Sequence, residues 1–222
     1  DWIVDRLAQE GVRHIFLLPG GGAMYLNDAV ASQSTIEGVA CHHEQACGIA
    51  AEAYGRTGFE QNPGFGVAMV TTGPGATNVI TPVAGAWIDS IPLLIISGQA
   101  KRPDRMGGRS IRQGGGQEVD IIPMVKSITK YAVTVNEHAD IPRHFDEAIL
   151  LMKSGRPGPV WIDIPLDVQA ATIDESALDK WNAPVVDSSN HPEINKVCEL
   201  LQDAERPLIL GGHGIRLSGA AE

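Results

Sequence analysis

Three short apolar runs constrain the fold of this chain more than any other feature. They are GFGVAMV (64–70), PLLIIS (92–97) and PVWIDIP (159–165), and each is apolar almost throughout. Continuous runs of this kind are typical of strands that are buried on both faces of a sheet. Because helical stretches separate them, the sequence predicts an α/β fold, a doubly wound parallel sheet with helices on both faces.

Weaker signals complete this alternating order along the chain. Further strands are predicted at HIFLL (14–18), IEGVA (36–40) and YAVTV (131–135). Helices are predicted in five places after the opening one: 23–34, 43–57, 74–88, near 119–125, and 140–154.

The predicted domain boundaries lie where the alternation of strands and helices stops. Residues 1–170 are predicted to form the first domain, and the polar, proline-bearing stretch 171–190 is predicted to be a linker. Residues 191–222 are predicted to give a helix, a strand, a glycine turn and the start of another helix. This is the first βα unit of a second α/β domain, which we expect to be truncated.

Charge and composition exclude several classes of partner. The formal net charge of −10 argues against a nucleic-acid or anionic-membrane surface. No apolar run approaches the roughly 20 residues that cross a bilayer. Three cysteines, Cys41, Cys47 and Cys198, fit no metal spacing, so reduced thiols and a cytoplasmic location are expected. The chain begins within a helix and without an initiator Met, so the sequence leaves open whether a targeting segment has been lost.

Four loops leave the carboxyl ends of predicted strands, the edge at which parallel sheets collect ligands. They are LPGGGA (18–23), ACHHEQ (40–45), TTGPGATN (71–78) and the long stretch 97–118. Each is rich in glycine, polar side chains or both. For TTGPGATN a tight turn before a capped helix and a ligand-facing turn are equally good interpretations.

Glu44 admits two interpretations at this stage. An acid in the first turn of a helix interacts favourably with the helix dipole, which is a structural role. The small residues that follow, 46–51, indicate instead a buried helix or a subunit interface. Burial favours the protonated form of a carboxylate, and an acid able to share a proton is what general acid–base catalysis needs.

Other polar residues carry weaker signals. His42 and His43 lack HxxxH or HExxH spacing, so no metal site is predicted. The long loop carries five cations that either meet an anion or face solvent: Lys101, Arg102, Arg105, Arg109 and Arg112.

Taken together and in order, these segments resemble one known family. The matching stretches are GVRHIFLLPGG, HHEQACGIAAEAYGR, VTTGPGATNVITPVAGAWIDSIPLLIISGQ, QEVDIIPMVKSITKYAV and GRPGPVWIDIPLDVQ. They resemble the N-terminal, pyrimidine-binding domain of thiamine-diphosphate-dependent enzymes of the acetolactate-synthase-like group, over essentially all of 1–170. RPLILGGHGIRLSGA resembles the opening of that family's central domain.

The resemblance implies a function and a set of site residues. It implies thiamine diphosphate as cofactor and decarboxylation of a 2-keto acid such as pyruvate, with ligation of the product to an acceptor. Glu44 would hydrogen-bond N1′ of the aminopyrimidine ring and favour its imino tautomer, and Gln117 would face the reacting centre. The remaining cofactor-binding residues that it implies are Pro19, Gly20, Thr72, Gly73, Pro74, Gly75 and Asn78.

The resemblance also implies what lies elsewhere. The family holds the diphosphate and Mg²⁺ on a C-terminal domain with a Gly-Asp-Gly motif, which this sequence does not contain. We therefore expect half an active site, completed across the interface of a homodimer or tetramer, and no activity from these 222 residues alone. FAD in the central domain, a naturally split enzyme, a decarboxylase without carboligation and a catalytically silent binding module stay open. Gly116 stands where the family commonly has Phe, which favours a larger or different acceptor.

Overall fold

Six strands form a single parallel sheet in the computed structural model, which describes residues 1–57, 64–173 and 193–218. The strand order is β2-β1-β3-β4-β6-β5, and every pairing is parallel. The predicted α/β class is thereby confirmed. The strands are β1 His14–Leu17, β2 Glu37–Ala40, β3 Gly66–Val70, β4 Leu93–Gln99, β5 Tyr131–Thr134 and β6 Val160–Pro165.

Helices cover both faces of this sheet. The first compact unit holds residues 1–173 of the described chain, and the second holds 193–218. The helices of the first unit are α1 Trp2–Gln9, α2 Met24–Ser32, α3 Glu44–Thr57, α4 Pro74–Asn78, α5 Ile80–Asp89, α6 Ile121–Val125, α7 Ile141–Lys153 and α8 Leu166–Gln169. Those of the second are α9 Ile194–Asp203 and α10 Gly214–Leu217.

The three apolar runs form the central strands β3, β4 and β6, in which every residue is buried. Alternate side chains of β4 enter two separate cores. Leu94 and Ile96 pack in the core beneath α1, α2 and α7, whereas Leu93 and Ile95 pack in the core beneath α3, α5 and α6. Both faces therefore need apolar residues, which explains why these runs do not alternate.

Small residues let α3 lie unusually close to its neighbours. A methyl group added at Gly48 would lie 2.4 Å from Pro82 Cγ, and one added at Gly66 would lie 1.7 Å from the carbonyl oxygen of Ala51. One face of α3 is nevertheless open, with Ala46 and Ile49 exposed. The helix is thus close-packed on the sheet side and free on the other.

The helix predicted over 74–88 is broken at Val79, which has φ −90° and ψ 0°. Pro82 explains the break, because proline has no N–H to donate to the carbonyl of Asn78 four residues earlier. The result is a five-residue α4 followed by α5. The break places Asn78 at the end of its own short helix.

The second unit contains the predicted helix, α9, but the described residues 206–210 form no strand there. Leu208, Ile209 and Leu210 are exposed, and a strand is stable only when another strand pairs with its backbone. The first βα unit of a second domain stays a prediction for this reason. Of the predicted linker 171–190, only 171–173 are described, and Ile173 packs against the first core. Residues 174–190 lie outside the described residues.

Across residues 1–57, 64–173 and 193–218, no helix has the length and apolar character needed to cross a membrane.

Candidate active site

The carboxyl ends of β2, β1, β3 and β4 lie side by side, because these strands are neighbours in the sheet and all parallel. The four loops that the sequence singled out follow these four strands in turn. Their backbones therefore meet at one edge, which is where ligands bind in open parallel sheets.

Glu44 is the first residue of α3 and is buried. Asn78, at the end of α4, donates a hydrogen bond from Nδ2 to Glu44 Oε2 at 2.9 Å. Among the described residues no hydrogen bond reaches the other oxygen, Oε1. That oxygen lies 3.4 Å from the position of a methyl group added at Gly75. The carboxylate thus has one oxygen fixed by protein and one available beside a glycine turn.

The glycine loop after β1 lies directly on the turn after β3. Gly22 N–H donates to Thr71 Oγ1 at 3.0 Å, and Gly20 is so close that an added methyl group would lie 2.5 Å from Thr71 Cβ. A methyl group at Gly22 would lie 2.0 Å from Thr72 Oγ1. The Thr72 hydroxyl is buried without a hydrogen-bond partner in the described chain. Pro19 precedes this loop and is exposed.

The turn after β3 also touches the segment that carries Gln117. Gly73 has φ +61°, a conformation that favours glycine, and an added methyl group would lie 1.9 Å from the carbonyl oxygen of Gln117. Gln117 itself has φ +58°, which is uncommon for a residue with a side chain. Pro74 is the first residue of α4 and is exposed. One turn, 72–78, therefore contacts both Glu44 and the backbone of Gln117.

Most of the arginines in the long loop bind the protein itself. Arg102 donates to Asp167 at 2.7 Å, Arg105 donates to Asn136 Oδ1 at 3.1 Å, and Arg109 donates to the carbonyl of Met106 at 3.0 Å. The loop is thus held by internal contacts rather than free in solvent. Gly116 faces open space, with nothing within 4 Å of an added methyl group.

Asp163 is a buried acid that the sequence did not single out. It accepts hydrogen bonds from Ser97 Oγ at 2.6 Å, Thr134 Oγ1 at 3.0 Å and Gln99 Nε2 at 3.2 Å. Burial raises the pKa of Asp163 to about 6, although these hydrogen bonds oppose the rise. The sequence signal for this buried acid is that Asp163 is the one charged residue inside the apolar run PVWIDIP.

The histidines next to Glu44 differ in their contacts. His43 Nδ1 accepts a hydrogen bond from the backbone N–H of Gln45 at 3.1 Å, which caps the start of α3. His42 is exposed. Within the part of the chain that the structure describes, no three His, Cys, Asp or Glu side chains are grouped so that they could hold a metal ion.

This parallel sheet, with glycine turns and the buried carboxylate of Glu44 at its carboxyl edge, is typical of a domain that binds a cofactor. Residues 1–124 match the family described as thiamine pyrophosphate enzyme, N-terminal TPP binding domain, and the chain belongs to that family.

Similar proteins are named as acetolactate synthases. The chain is 37% identical over 222 residues to the mitochondrial acetolactate synthase of Schizosaccharomyces pombe, covering 95% of this chain and 32% of that protein. It is 37% identical over 223 residues to the acetolactate synthase large subunit of Lactococcus lactis, covering 99% of this chain and 37% of that one. The chain therefore spans about a third of the length of these relatives.

Proposed function

We propose that the whole protein is an acetolactate-synthase-like enzyme that decarboxylates a 2-keto acid such as pyruvate and ligates the product to an acceptor. The observation that carries the proposal is Glu44, a buried carboxylate with one oxygen fixed by Asn78 and the other available beside Gly75. The similarity to proteins named acetolactate synthase supports carboligation over decarboxylation alone.

The residues at this edge fit thiamine diphosphate. Thr72 Oγ1 is a buried hydroxyl without a partner among the described residues, and Glu44 Oε1 likewise lacks a hydrogen bond there. Gly75 has no side chain at the position 3.4 Å from Glu44 Oε1, which leaves room for a ligand next to this oxygen. When bound, the cofactor supplies the nucleophilic carbon and the electron sink for decarboxylation.

The chain's own residues position this chemistry. Glu44 Oε1 would hold and release the proton that it shares with a ring nitrogen of the cofactor. Asn78 keeps the carboxylate in one orientation, since its hydrogen bond fixes Oε2. We assign Pro19, Gly20 and Pro74 to the wall of the pyrimidine site, and Gln117 to the side of the reacting centre.

The proposed domain organisation keeps its predicted boundaries, with 1–170 as the pyrimidine-binding domain, 171–190 as the linker and 191–222 as the start of the central domain. Mg²⁺ and the diphosphate group are assigned to residues outside the pyrimidine-binding domain. FAD binding stays open, and a cytoplasmic location stays a prediction because the relatives include one named as mitochondrial.

A second copy of the chain is the proposed partner. The outward face of α3 presents Ala46, Ile49 and Ala53, and the neighbouring α5 presents Ile88. An apolar face of this kind at the side of the site is typical of subunit interfaces. Its position supports a dimer in which each copy completes the other's active site.

The test of the function is Glu44→Gln in the full-length protein. Glutamine keeps the shape of the side chain and removes its ability to share a proton, so we expect keto-acid consumption with thiamine diphosphate and Mg²⁺ to fall by about 100-fold or more. Glu37→Gln is the matched control, because Glu37 is an exposed acid on β2. Full activity of the Glu44 variant, with its fold intact by circular dichroism, would exclude the proposal.

A further inference from the structure

Glu118 is a buried acid directly after Gln117, and the site described above does not use it. Its side chain is only 2% exposed, so it is not positioned to touch a substrate. It lies beneath the glycine-rich part of the loop that follows β4. An ionisable group buried so completely within a loop needs compensating partners.

Three backbone N–H groups of the loop supply these partners. Met106 N–H lies 2.9 Å from both carboxylate oxygens, and Gly114 and Gly115 donate to Oε2 at 2.8 and 2.9 Å. The guanidinium of Arg105 lies 3.9 Å from Oε1. One carboxylate therefore ties together both arms of the loop, near 106 and near 114.

These partners determine the charge of Glu118. Burial alone would raise the pKa of its carboxyl group, but the hydrogen bonds from the three amides and the charge of Arg105 outweigh burial and hold the pKa below its usual value. Glu118 is therefore ionised at neutral pH. Charge-assisted hydrogen bonds of this kind are stronger than neutral ones.

The backbone next to Glu118 is in an unfavourable conformation. Gln117 has φ +58°, and its carbonyl oxygen occupies the space where a side chain at Gly73 would be. A conformation of this type persists only when the surroundings hold it. The hydrogen bonds of the Glu118 carboxylate hold the residue that follows Gln117 in place.

We propose that Glu118 is a positioning residue, which binds the loop through three backbone amides and thereby fixes Gln117 against the turn that also contacts Glu44. The inference rests on the proposed function for its catalytic consequence, since Gln117 is assigned to the reacting centre there. Glu118 acts through Gln117 and does not itself contact the substrate.

The kinetic test is a double-mutant cycle in the full-length protein. Glu118→Gln removes the charge and, even with its oxygen in the place of Oε2, directs an NH₂ group at Met106 N–H and the Arg105 guanidinium. We therefore expect kcat for the keto acid to fall about 10-fold or more, with the activation constant for thiamine diphosphate changed less than twofold. In a Gln117→Ala background the same substitution should change kcat less than twofold. Equal losses in both backgrounds would overturn the inference, because Glu118 would then act independently of Gln117.

The matched control is Glu137→Gln. Glu137 is an exposed acid that pairs with Arg102 of the same loop at 3.1 Å, so it tests whether any acid at the loop has this effect. If Glu118→Gln does not fold, Glu118→Asp keeps the charge but shortens the reach by one methylene and should show the same coupling to Gln117.

Amide hydrogen exchange separates this inference from the proposed function, because it needs neither cofactor nor substrate. We expect the amides of Met106, Gly114 and Gly115 to exchange at least 10-fold faster in Glu118→Gln than in wild type or Glu137→Gln. Unchanged protection overturns the inference whatever the activity. A wild-type protein that consumes no keto acid overturns the proposed function, and exchange alone then decides whether Glu118 holds the loop.

Discussion

Asn78 donates a 2.9 Å hydrogen bond to Glu44, and this single contact joins the end of α4 to the start of α3. The two residues are 34 positions apart in the chain. Their contact exists because β2 and β3 both lie next to β1 in the sheet, so the segments that follow them emerge together. Fixing one carboxylate oxygen leaves the second with a defined direction.

Removal of this hydrogen bond should impair catalysis more than stability. In Asn78→Ala, we expect kcat/KM to fall about 10-fold, because a hydrogen bond to a charged group is worth about 1.5–3 kcal/mol. Steady-state kinetics of the full-length protein with pyruvate measure the effect. Asn195→Ala, at an exposed position of helix α9 in the second unit, serves as control. Wild-type kinetics in Asn78→Ala would show that Glu44 needs no orienting partner.

Gly22 and Gly21 provide a matched pair of substitutions. Gly22→Ala would place a methyl group 2.0 Å from Thr72 Oγ1, whereas Gly21→Ala meets nothing within 4 Å. We expect Gly22→Ala to weaken thiamine diphosphate binding about 10-fold and to cost about 1–3 kcal/mol of stability through overpacking. Isothermal titration and urea unfolding measure the two effects. Equal behaviour of the two variants would contradict the close packing of the glycine loop.

Asp163 should make stability depend on pH. Since its pKa is raised from 3.8 to about 6, the folded protein keeps a proton that the unfolded chain loses. This contribution is fully present below pH 3.8 and is lost as pH rises through about 6. The shift corresponds to about 3 kcal/mol.

Asp163→Asn tests this dependence, because asparagine cannot titrate and can still accept or donate the same hydrogen bonds. We expect the free energy of unfolding of wild type, relative to Asp163→Asn, to decrease between pH 4 and pH 7. Urea unfolding at four pH values measures it. Parallel pH profiles for the two proteins would show that Asp163 does not titrate in this range.

Ile49 tests the proposed subunit interface. Its side chain is exposed on the free face of α3, with a relative accessibility of 53%. We expect Ile49→Asp to weaken self-association of the full-length protein at least 10-fold, because it introduces a charge into an apolar interface. Tyr25→Asp, on α2 at the opposite face of the sheet, is the control. Analytical ultracentrifugation that finds the same assembly for wild type and Ile49→Asp would argue against this interface.

Gly116 bears on the choice of acceptor. Because nothing lies within 4 Å of an added methyl group there, Gly116→Phe should fold normally. We expect the variant to lower the yield of product from a long 2-keto acid acceptor about 10-fold relative to a short one, since a large side chain next to Gln117 fills the available space. Product analysis with mixed acceptors measures the ratio. An unchanged ratio would place the acceptor elsewhere.

The sequence predicted those features that depend on local pattern. The apolar runs of β3, β4 and β6 and their alternation with helices indicated a parallel sheet, and the structure confirms it. The sequence predicted one helix over 74–88 rather than a break at Val79, because the helical pattern continues through it and only the missing N–H of Pro82 signals the break. The strand predicted after α9 does not form at the described residues 206–210, because strand pairing depends on a partner strand and not on the apolar run itself.

At the site, the sequence determined that Glu44 begins a helix of small residues beside glycine turns, because turns and helix starts depend on only a few consecutive residues. Only the tertiary structure decided which groups these residues meet. Three contacts join segments that are far apart in the chain. Asn78 bonds to Glu44, the carbonyl of Gln117 packs against Gly73, and Ser97 bonds to Asp163. Sheet order brings those segments together, and the hydrogen bonds form only at distances near 3 Å that no local pattern specifies.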